Sequence, residues 1–166
     1  MNRRLFLGVA ALAAGAPLYL PVHATRAAVA NPFYAQSFAA LDGSEVAFTQ
    51  YLGKPVVLNF WATWCPPCVK EMPDLEALHK RHGQVRFVGL AIDSAANVER
   101  FNKEKVHVSY PLLIAGHKGI ELMRNLGNKQ GGLPFTVVFD AKGSVAHTVL
   151  GPVKPDQLEA RIQRLS

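Results

Sequence analysis

Two cysteines stand three residues apart in this chain, in the segment Cys65-Pro66-Pro67-Cys68, and the sequence contains no others. A structural disulfide framework needs more cysteines at wider spacing. A structural zinc site needs four ligands, and no second Cys or His pair at ligand spacing follows. The pair therefore indicates redox chemistry, in which it alternates between dithiol and disulfide. An inert buried pair, or half of a zinc site, is the alternative.

The start of a predicted helix is a favourable place for thiol chemistry. Disulfide exchange needs a thiolate, whereas a free thiol has a pKa of about 8.5. The dipole and the unpaired N–H groups of a helix N-terminus favour a negative sulfur. Pro66 and Pro67 are tolerated there, because an N–H in the first turn has no partner. We expect Cys65 to be the nucleophile, and Cys68, one turn further in and more covered, to be the resolving thiol.

Alternating strands and helices must position this pair. Val56–Trp61 is a continuous β-favouring run, typical of a strand buried on both faces. The helix after the cysteines runs to about Arg81, and its predicted buried face consists of Val69, Met72, Leu75 and Leu78. The other predicted elements are a hairpin around Ser37–Tyr51, strands at Val85–Ile92, Tyr110–Ala115, Phe135–Phe139 and Ser144–Leu150, and helices at Ala95–Lys105, His117–Leu126 and Pro155–Leu165.

This order of elements predicts an α/β fold in which helices flank a mixed, partly parallel sheet whose last two strands form an antiparallel hairpin. The cysteine pair lies where a buried strand ends and a helix begins, the usual place for a site in an open α/β sheet. Residues 31–166 contain no repeat, low-complexity tract or long linker, and we expect them to form one redox domain.

Composition and charge exclude some classes of function. The net charge is +6, and without residues 1–30 it is +3, from 15 basic and 12 acidic residues. The basic residues are scattered and do not alternate with aromatic ones, so we expect no nucleic-acid binding. We interpret the mildly basic surface as ordinary solubilising charge, and preference for an acidic partner is the alternative.

Residues 1–30 have the pattern of an export signal. A basic start with Arg3 and Arg4 is followed by an apolar stretch from Leu5 to about Val22 and then by small residues. The paired arginines resemble a twin-arginine signal, and the general secretory route is the alternative. We expect cleavage after Ala24 or Ala30. Retention as a membrane anchor is the other possibility, although the apolar run is short for a spanning helix. Each case delivers the domain outside the cytoplasm, to the periplasm, where disulfides persist.

Residues 59–68, NFWATWCPPC, resemble the active-site segment of thioredoxins, and most closely that of the extracytoplasmic branch typified by TlpA, ResA and the cytochrome c maturation thioredoxins. The resemblance extends over nearly all of residues 33–166. It includes Gly53-Lys54-Pro55 before the strand, Glu71-Met72-Pro73 in the helix and Gly132-Leu133-Pro134 before a later strand. It implies a thioredoxin-like fold with an N-terminal β-hairpin and a central insertion, which falls between Asp93 and Gly131.

The resemblance also implies which residues bind an extended substrate. Pro134 occupies the place of the family's cis-proline, which faces the cysteines, and the backbone of Leu133 would line the substrate groove. An ordinary trans proline in a loop is the alternative, since cis X-Pro bonds are uncommon. Trp64 is expected to lie over the site, and we include Pro66 in the substrate-binding set. Trp61 and the phenylalanines at positions 33, 38, 48, 87, 135 and 139 are expected in the core.

One departure from the thioredoxin pattern changes the predicted acid–base chemistry. Thioredoxins carry a buried Asp six residues before the first Cys, and this chain has Asn59 there, which cannot accept a proton. Glu71 lies three residues after Cys68 on the same side of the helix. The resemblance to the ResA-like branch implies that Glu71 takes the acid–base role, which a raised pKa would suit. A solvated helix Glu is the alternative. Pro73 falls where thioredoxins have a helix kink.

The histidines at positions 79, 82, 107, 117 and 147 show no ligand spacing beside the cysteines, and we interpret them as surface residues. We therefore expect no metal site and no organic cofactor. A Cu(I) chaperone remains an alternative, because thiolates bind Cu(I), although the thioredoxin-fold metallochaperones usually have C-x-x-x-C. A peroxidase of the peroxiredoxin kind would use a single Cys with Thr and Arg, which does not match this pair.

These observations predict an enzyme that reduces disulfides in extracytoplasmic proteins, with apocytochrome c as one plausible substrate. The resemblance implies a membrane electron donor of the DsbD or CcdA kind. A disulfide oxidase or isomerase of the same fold is the alternative, because fold does not determine the direction of electron flow. No membrane contact is expected unless the N-terminal segment stays as an anchor.

Overall fold

The computed structural model describes residues 30–165, so the export signal predicted for residues 1–30 lies outside the described residues except for Ala30. The strands are β1 (Ser37–Ala40), β2 (Glu45–Ala47), β3 (Val56–Trp61), β4 (Arg86–Ala91), β5 (Leu112–Ile114), β6 (Phe135–Phe139) and β7 (Val145–Leu150). The helices are α1 (Pro66–Arg81), α2 (Ala95–Glu104), α3 (Lys118–Asn125) and α4 (Pro155–Gln163), and short 3₁₀ turns cover Pro32–Ala35 and Phe48–Tyr51.

The strands form one mixed sheet in the order β2-β1-β5-β4-β3-β6-β7. Strand β4 runs parallel to both β3 and β5, whereas the β1–β2, β1–β5, β3–β6 and β6–β7 pairs are antiparallel. The predicted α/β class, the N-terminal hairpin and the closing β6–β7 hairpin are therefore confirmed. The segment between Asp93 and Gly131 contributes α2, β5 and α3, and β5 joins the sheet between β4 and the N-terminal hairpin.

Alternation along β3 divides the core between the two faces of the sheet. Val57 and Trp61 pack in a cluster with the buried residues of α1 and α4. Leu58 and Phe60 pack in a second cluster with the N-terminal aromatic rings and with Met123 of α3. Because both faces of β3 are covered, all six of its residues are buried, as its continuous apolar sequence predicts.

Helix α1 begins directly after Cys65, and its bounds agree with those predicted. Its buried residues are Cys68, Glu71, Met72, Leu75, Glu76 and Leu78. Val69, predicted on this face, is only half-buried. The strict three-residue spacing used in the prediction drifts around a helix of 3.6 residues per turn, so its first member lies at the edge of the buried stripe.

The six phenylalanines predicted in the core are buried, at positions 33, 38, 48, 87, 135 and 139, and so is Trp61. The surface prediction is wrong for His82, which is buried. His82 caps the C-terminal end of α1, where α4 packs, and its Nε2 lies 2.7 Å from Glu159 Oε1. Helix α4 packs against the His82 ring and buries it, and the residues around His82 in the sequence do not indicate this contact.

Among residues 30–165, no helix has both the length and the apolar character needed to cross a membrane.

Candidate active site

Cys65 and Cys68 form a disulfide at the N-terminal end of α1, with an S–S distance of 2.08 Å and Cα atoms 5.3 Å apart. Cys65 is the N-cap residue and Pro66 is the first helical residue, as expected for a strand-to-helix turn. Cys65 is 6% exposed and Cys68 is fully buried. The relative cover of the two sulfurs therefore agrees with the predicted order, in which Cys65 meets substrate and Cys68 lies behind it.

The loop before the cysteines is held by the end of the neighbouring strand. Asp93, which follows β4, accepts hydrogen bonds from Thr63 N at 3.1 Å and from Thr63 Oγ1 at 2.5 Å. Burial alone would raise the pKa of Asp93, but its hydrogen bonds from Thr63, Asn97 and Ser94 outweigh that effect and lower it. An ionised Asp93 thus fixes the segment that presents Trp64 and Cys65, a contact that sequence reasoning did not identify.

An open depression of about 590 Å³ adjoins Cys65. It brings together three of the residues predicted to bind substrate, Trp64, Pro66 and Leu133. Trp64 is 66% exposed, so its ring is available to a partner. The Leu133–Pro134 peptide bond is cis, the predicted geometry. Pro134 itself is buried and is not among the residues that line the depression.

Sequence reasoning missed the opposite wall of this depression. That wall is formed by Ile92 at the end of β4, by Ile120 and Met123 of α3, and by His117 and Gly131, which flank that helix region. Four of these five residues come from the segment between Asp93 and Gly131, which thus contributes directly to the site. The apolar residues of α3 could be recognised in the sequence, but the neighbouring sequence did not indicate that they would lie beside the cysteine loop.

Glu71 lies on α1 three residues after Cys68 and is 3% exposed, so the alternative of a solvated helix Glu is wrong. Its Oε1 accepts a hydrogen bond of 2.8 Å from Asn59 Nδ2, and its Oε2 accepts one of 2.8 Å from Val153 N. Burial raises the pKa of Glu71 above the ordinary value, and the two hydrogen bonds only partly counter that effect. Asp74 adds a smaller rise.

Asn59 occupies the β3 position at which thioredoxins carry Asp. Its Nδ2 also donates to Thr136 Oγ1 of β6, at 3.0 Å. Thr136 and Val153 were not identified from the sequence. Thr136 reaches Asn59 because β6 pairs with β3, and Val153 reaches Glu71 from a loop remote in the chain. Strand β3 and the segment before α4 therefore contact the carboxyl group, and β6 contacts the β3 amide in turn.

Within residues 30–165, no group of three or more His, Cys, Asp or Glu side chains is arranged to hold a metal ion.

Comparison with known proteins agrees with this geometry. The Redoxin family matches residues 28–162, which include nearly all of the described fold. This chain belongs to the Redoxin family. It is similar to the thiol-disulfide oxidoreductase ResA of Geobacillus kaustophilus strain HTA426, with 30% identity over 98% of this chain and 94% of the relative.

Solved structures of thiol–disulfide proteins share the fold of this Redoxin-family member. MTB DsbF, in mixed oxidised and reduced forms, has a TM-score of 0.72 and 29% identity, covering 83% of this chain and 100% of that one. A secreted Mycobacterium tuberculosis disulfide oxidoreductase, described as homologous to E. coli DsbE, has a TM-score of 0.68 and 26% identity, covering 80% and 97%. The fold is thioredoxin-like, and the protein is a thiol–disulfide oxidoreductase.

Proposed function

We propose that this oxidoreductase works outside the cytoplasm as a reductant of protein disulfides. The observation that carries the proposal is the pair of sulfurs at the start of α1, one at an open depression and one fully covered, with a buried carboxyl group one turn further along. That arrangement suits attack on a substrate disulfide from one side and resolution from the other.

The exchange proceeds in two thiolate attacks. The Cys65 thiolate attacks one sulfur of the substrate disulfide, that S–S bond breaks, and the first substrate sulfur leaves as a thiolate. The Cys68 thiolate then attacks the Cys65 sulfur, the Cys65–Cys68 disulfide forms, and the second substrate sulfur leaves. Two electrons pass to the substrate, and both of its sulfurs are protonated by solvent or by a nearby acid.

Glu71 is proposed to handle the proton of Cys68. The Cys68 thiol must lose its proton before it can attack, and it is fully buried. A neighbouring carboxyl group whose pKa is raised lies closer to a thiol in proton affinity than an ordinary carboxylate does. Trp64, Pro66 and Leu133, which line the depression, are proposed to hold the substrate segment, and Pro134 is proposed to shape the backbone at Leu133 through its cis peptide bond.

The compartment and the partners belong to the same proposal. Residues 1–30 would direct export, by the twin-arginine route with cleavage, and residues 31–166 would act in the periplasm. A secreted relative supports this location. The substrate would be a disulfide-bearing extracytoplasmic protein, with apocytochrome c as one candidate, and a membrane donor of the DsbD or CcdA kind would return electrons to the pair.

The reduction potential of the Cys65–Cys68 couple tests the direction of electron flow. It is measured by equilibrating the purified protein in defined thiol buffers and quantifying dithiol and disulfide forms. A potential near or below roughly −270 mV, that of thioredoxin, supports a dedicated reductant. A potential near roughly −120 mV, the oxidising end of the range, would overturn the reductase assignment and make disulfide donation the function.

A further inference from the structure

The buried Asn59 amide has one feature that the proposed chemistry does not use. Both hydrogens of Asn59 Nδ2 have acceptors, Glu71 Oε1 at 2.8 Å and Thr136 Oγ1 at 3.0 Å. Asn59 is only 2% exposed, and its Oδ1 has no hydrogen-bond partner among the described residues. Since a buried polar atom without a partner is costly, this amide oxygen needs an explanation.

The present orientation of the amide fits an ionised Glu71. A carboxylate is an acceptor only, and both of its oxygens meet N–H donors, from Asn59 and from Val153 N. A proton placed on Oε1 towards Asn59 would face another N–H hydrogen. The same contact that stabilises the charged form therefore opposes the neutral form.

Rotation of the Asn59 amide by 180° would reverse these preferences. The unpartnered Oδ1 would take the place of Nδ2 and could accept from a protonated Glu71. Thr136 would keep its contact, because a hydroxyl both donates and accepts. An amide carries a donor and an acceptor on one planar group, so asparagine can serve both states of the carboxyl, whereas leucine could serve neither.

We propose that Asn59 is a positioning residue that holds Glu71 in both of its protonation states by turning its side-chain amide, with Thr136 as the anchor common to both orientations. The inference rests on the proposed role of Glu71 as the acid–base partner of Cys68. It deepens that role, because the amide can then present a donor to the ionised carboxyl group and an acceptor to the protonated one.

The charges around Glu71 are compatible with a rotating Asn59 amide. The titratable groups that interact with it are Asp74 on its own helix and Tyr110 just before β5, and Cys68 lies one turn earlier on the same helix. The groups from β3, β6 and the segment before α4 are the neutral Asn59, Thr136 and Val153 N. Burial raises the pKa of Glu71, as expected where neutral dipoles rather than a cation hold a carboxyl group.

Nuclear magnetic resonance titration of the unsubstituted protein tests the rotation directly. The Glu71 side-chain carbonyl carbon and the Asn59 side-chain N–H₂ resonances are followed together as the pH is lowered. The amide signals should move with the same midpoint as the Glu71 carbon, in the direction of lost hydrogen bonds, since Nδ2 then points to the place where Oδ1 has no partner. Asn59 signals that stay fixed while Glu71 titrates would overturn the proposal.

A variant supplies the second measurement. Asn59→Leu removes both the donor to the ionised carboxyl group and the acceptor for the protonated one. Because a hydrogen bond to a charged group is the stronger of the two, the Glu71 midpoint should rise by about one pH unit. Asn125→Leu, at an exposed position at the end of α3, is the matched control and should leave the midpoint unchanged. An unchanged midpoint in a folded Asn59→Leu protein would contradict the inference.

The two proposals fail in different ways. If Glu71→Gln alters the pH dependence of Cys68 reactivity but the Asn59 amide signals ignore the Glu71 titration, the rotating amide is wrong and the acid–base role stands. If the amide follows Glu71 but Glu71→Gln leaves Cys68 reactivity unchanged at every pH, the acid–base role is wrong and the amide serves only the stability of the buried carboxyl.

Discussion

Two buried glutamates on the same helix, Glu71 and Glu76, have opposite electrostatic environments. Glu71 meets only neutral donors, Asn59 Nδ2 and Val153 N, and burial raises its pKa. Burial also acts to raise the pKa of Glu76, but hydrogen bonds from Ser109 and the Lys80 ammonium 3.0 Å away outweigh it and lower the pKa.

The opposite pKa shifts indicate that the two halves of α1 have different roles. Near the cysteines, a carboxyl group that can exchange a proton is useful, and the fold supplies amides there instead of a cation. One and a half turns later, Glu76 is kept ionised and ties α1 to the segment before β5 through Ser109 N at 2.9 Å and Ser109 Oγ at 2.8 Å. The first environment suits chemistry and the second suits stability.

The largest expected effect is the loss of turnover when a cysteine in the N-terminal half of α1 is replaced. Cys68→Ser should abolish turnover and leave a stable mixed disulfide on Cys65, because no second thiol can resolve it. Mass spectrometry of the protein after incubation with a disulfide-bonded peptide measures the adduct. Cys65→Ser is the control and should form none. A stable adduct on Cys68 in that control would reverse the proposed order of attack.

Glu71→Gln should slow resolution of the mixed disulfide by about 10²-fold and remove a pH-dependent step, because the buried proton carrier is lost. Stopped-flow release of the second substrate thiol, measured across pH 5 to 9, gives the rate. Glu76→Gln is the matched control on the same helix. Equal slowing in both variants would remove the distinction drawn between the two glutamates.

Glu76→Ala should lower the free energy of unfolding by about 1–2 kcal/mol, because the N–H and hydroxyl of Ser109 lose their charged acceptor. Urea denaturation of the oxidised protein measures the loss. Lys80→Ala removes only the exposed partner of Glu76 and should cost less. An unchanged urea midpoint for Glu76→Ala would show that water replaces the carboxylate at Ser109.

The smallest effect is a pair of opposite pH dependences of stability. The folded-state pKa of Glu71 is raised above the unfolded value of about 4.3. Between these two pKa values the folded state binds more protons than the unfolded state, so the stability falls as the pH rises. The folded-state pKa of Glu76 is lowered, so its contribution is complete above about pH 4.3 and is lost as the pH falls through the folded value.

Urea denaturation from pH 3 to 8 separates these two contributions. Relative to the unsubstituted protein, Glu71→Gln should gain stability as the pH rises, and Glu76→Gln should lose it. Parallel curves for the two variants would mean that the carboxyl environments differ less than their contacts indicate.

Sequence reasoning was most accurate where local pattern and burial coincide. The bounds of β3, β6 and α1 are as predicted, because each is an apolar run or an amphipathic helix bounded by Gly, Pro or the cysteine motif. It was least accurate at the ends of elements and where distant segments meet. The burial of His82 depends on α4, more than seventy residues later, and could not be read from its neighbours.

The candidate site divides in the same way. The cysteine pair and its position at a helix start follow from residue types and spacing. The burial of Glu71 agrees with the role proposed for it from a family resemblance. The apolar wall formed by α3 and the contacts of Thr136 and Val153 do not follow from residue types and spacing, because they arise only when the sheet and its covering helices assemble.

The amino-acid sequence by itself determined which atoms can exchange electrons, because reactive sulfur is confined to two positions and a strand-to-helix turn orients them. Only the tertiary structure decided the environment of the buried carboxyl group that is proposed to carry the proton. The pKa of Glu71 depends on what replaces water around a buried carboxyl group, and here an amide of β3 and a backbone N–H from beyond β7 are what the fold brings to it.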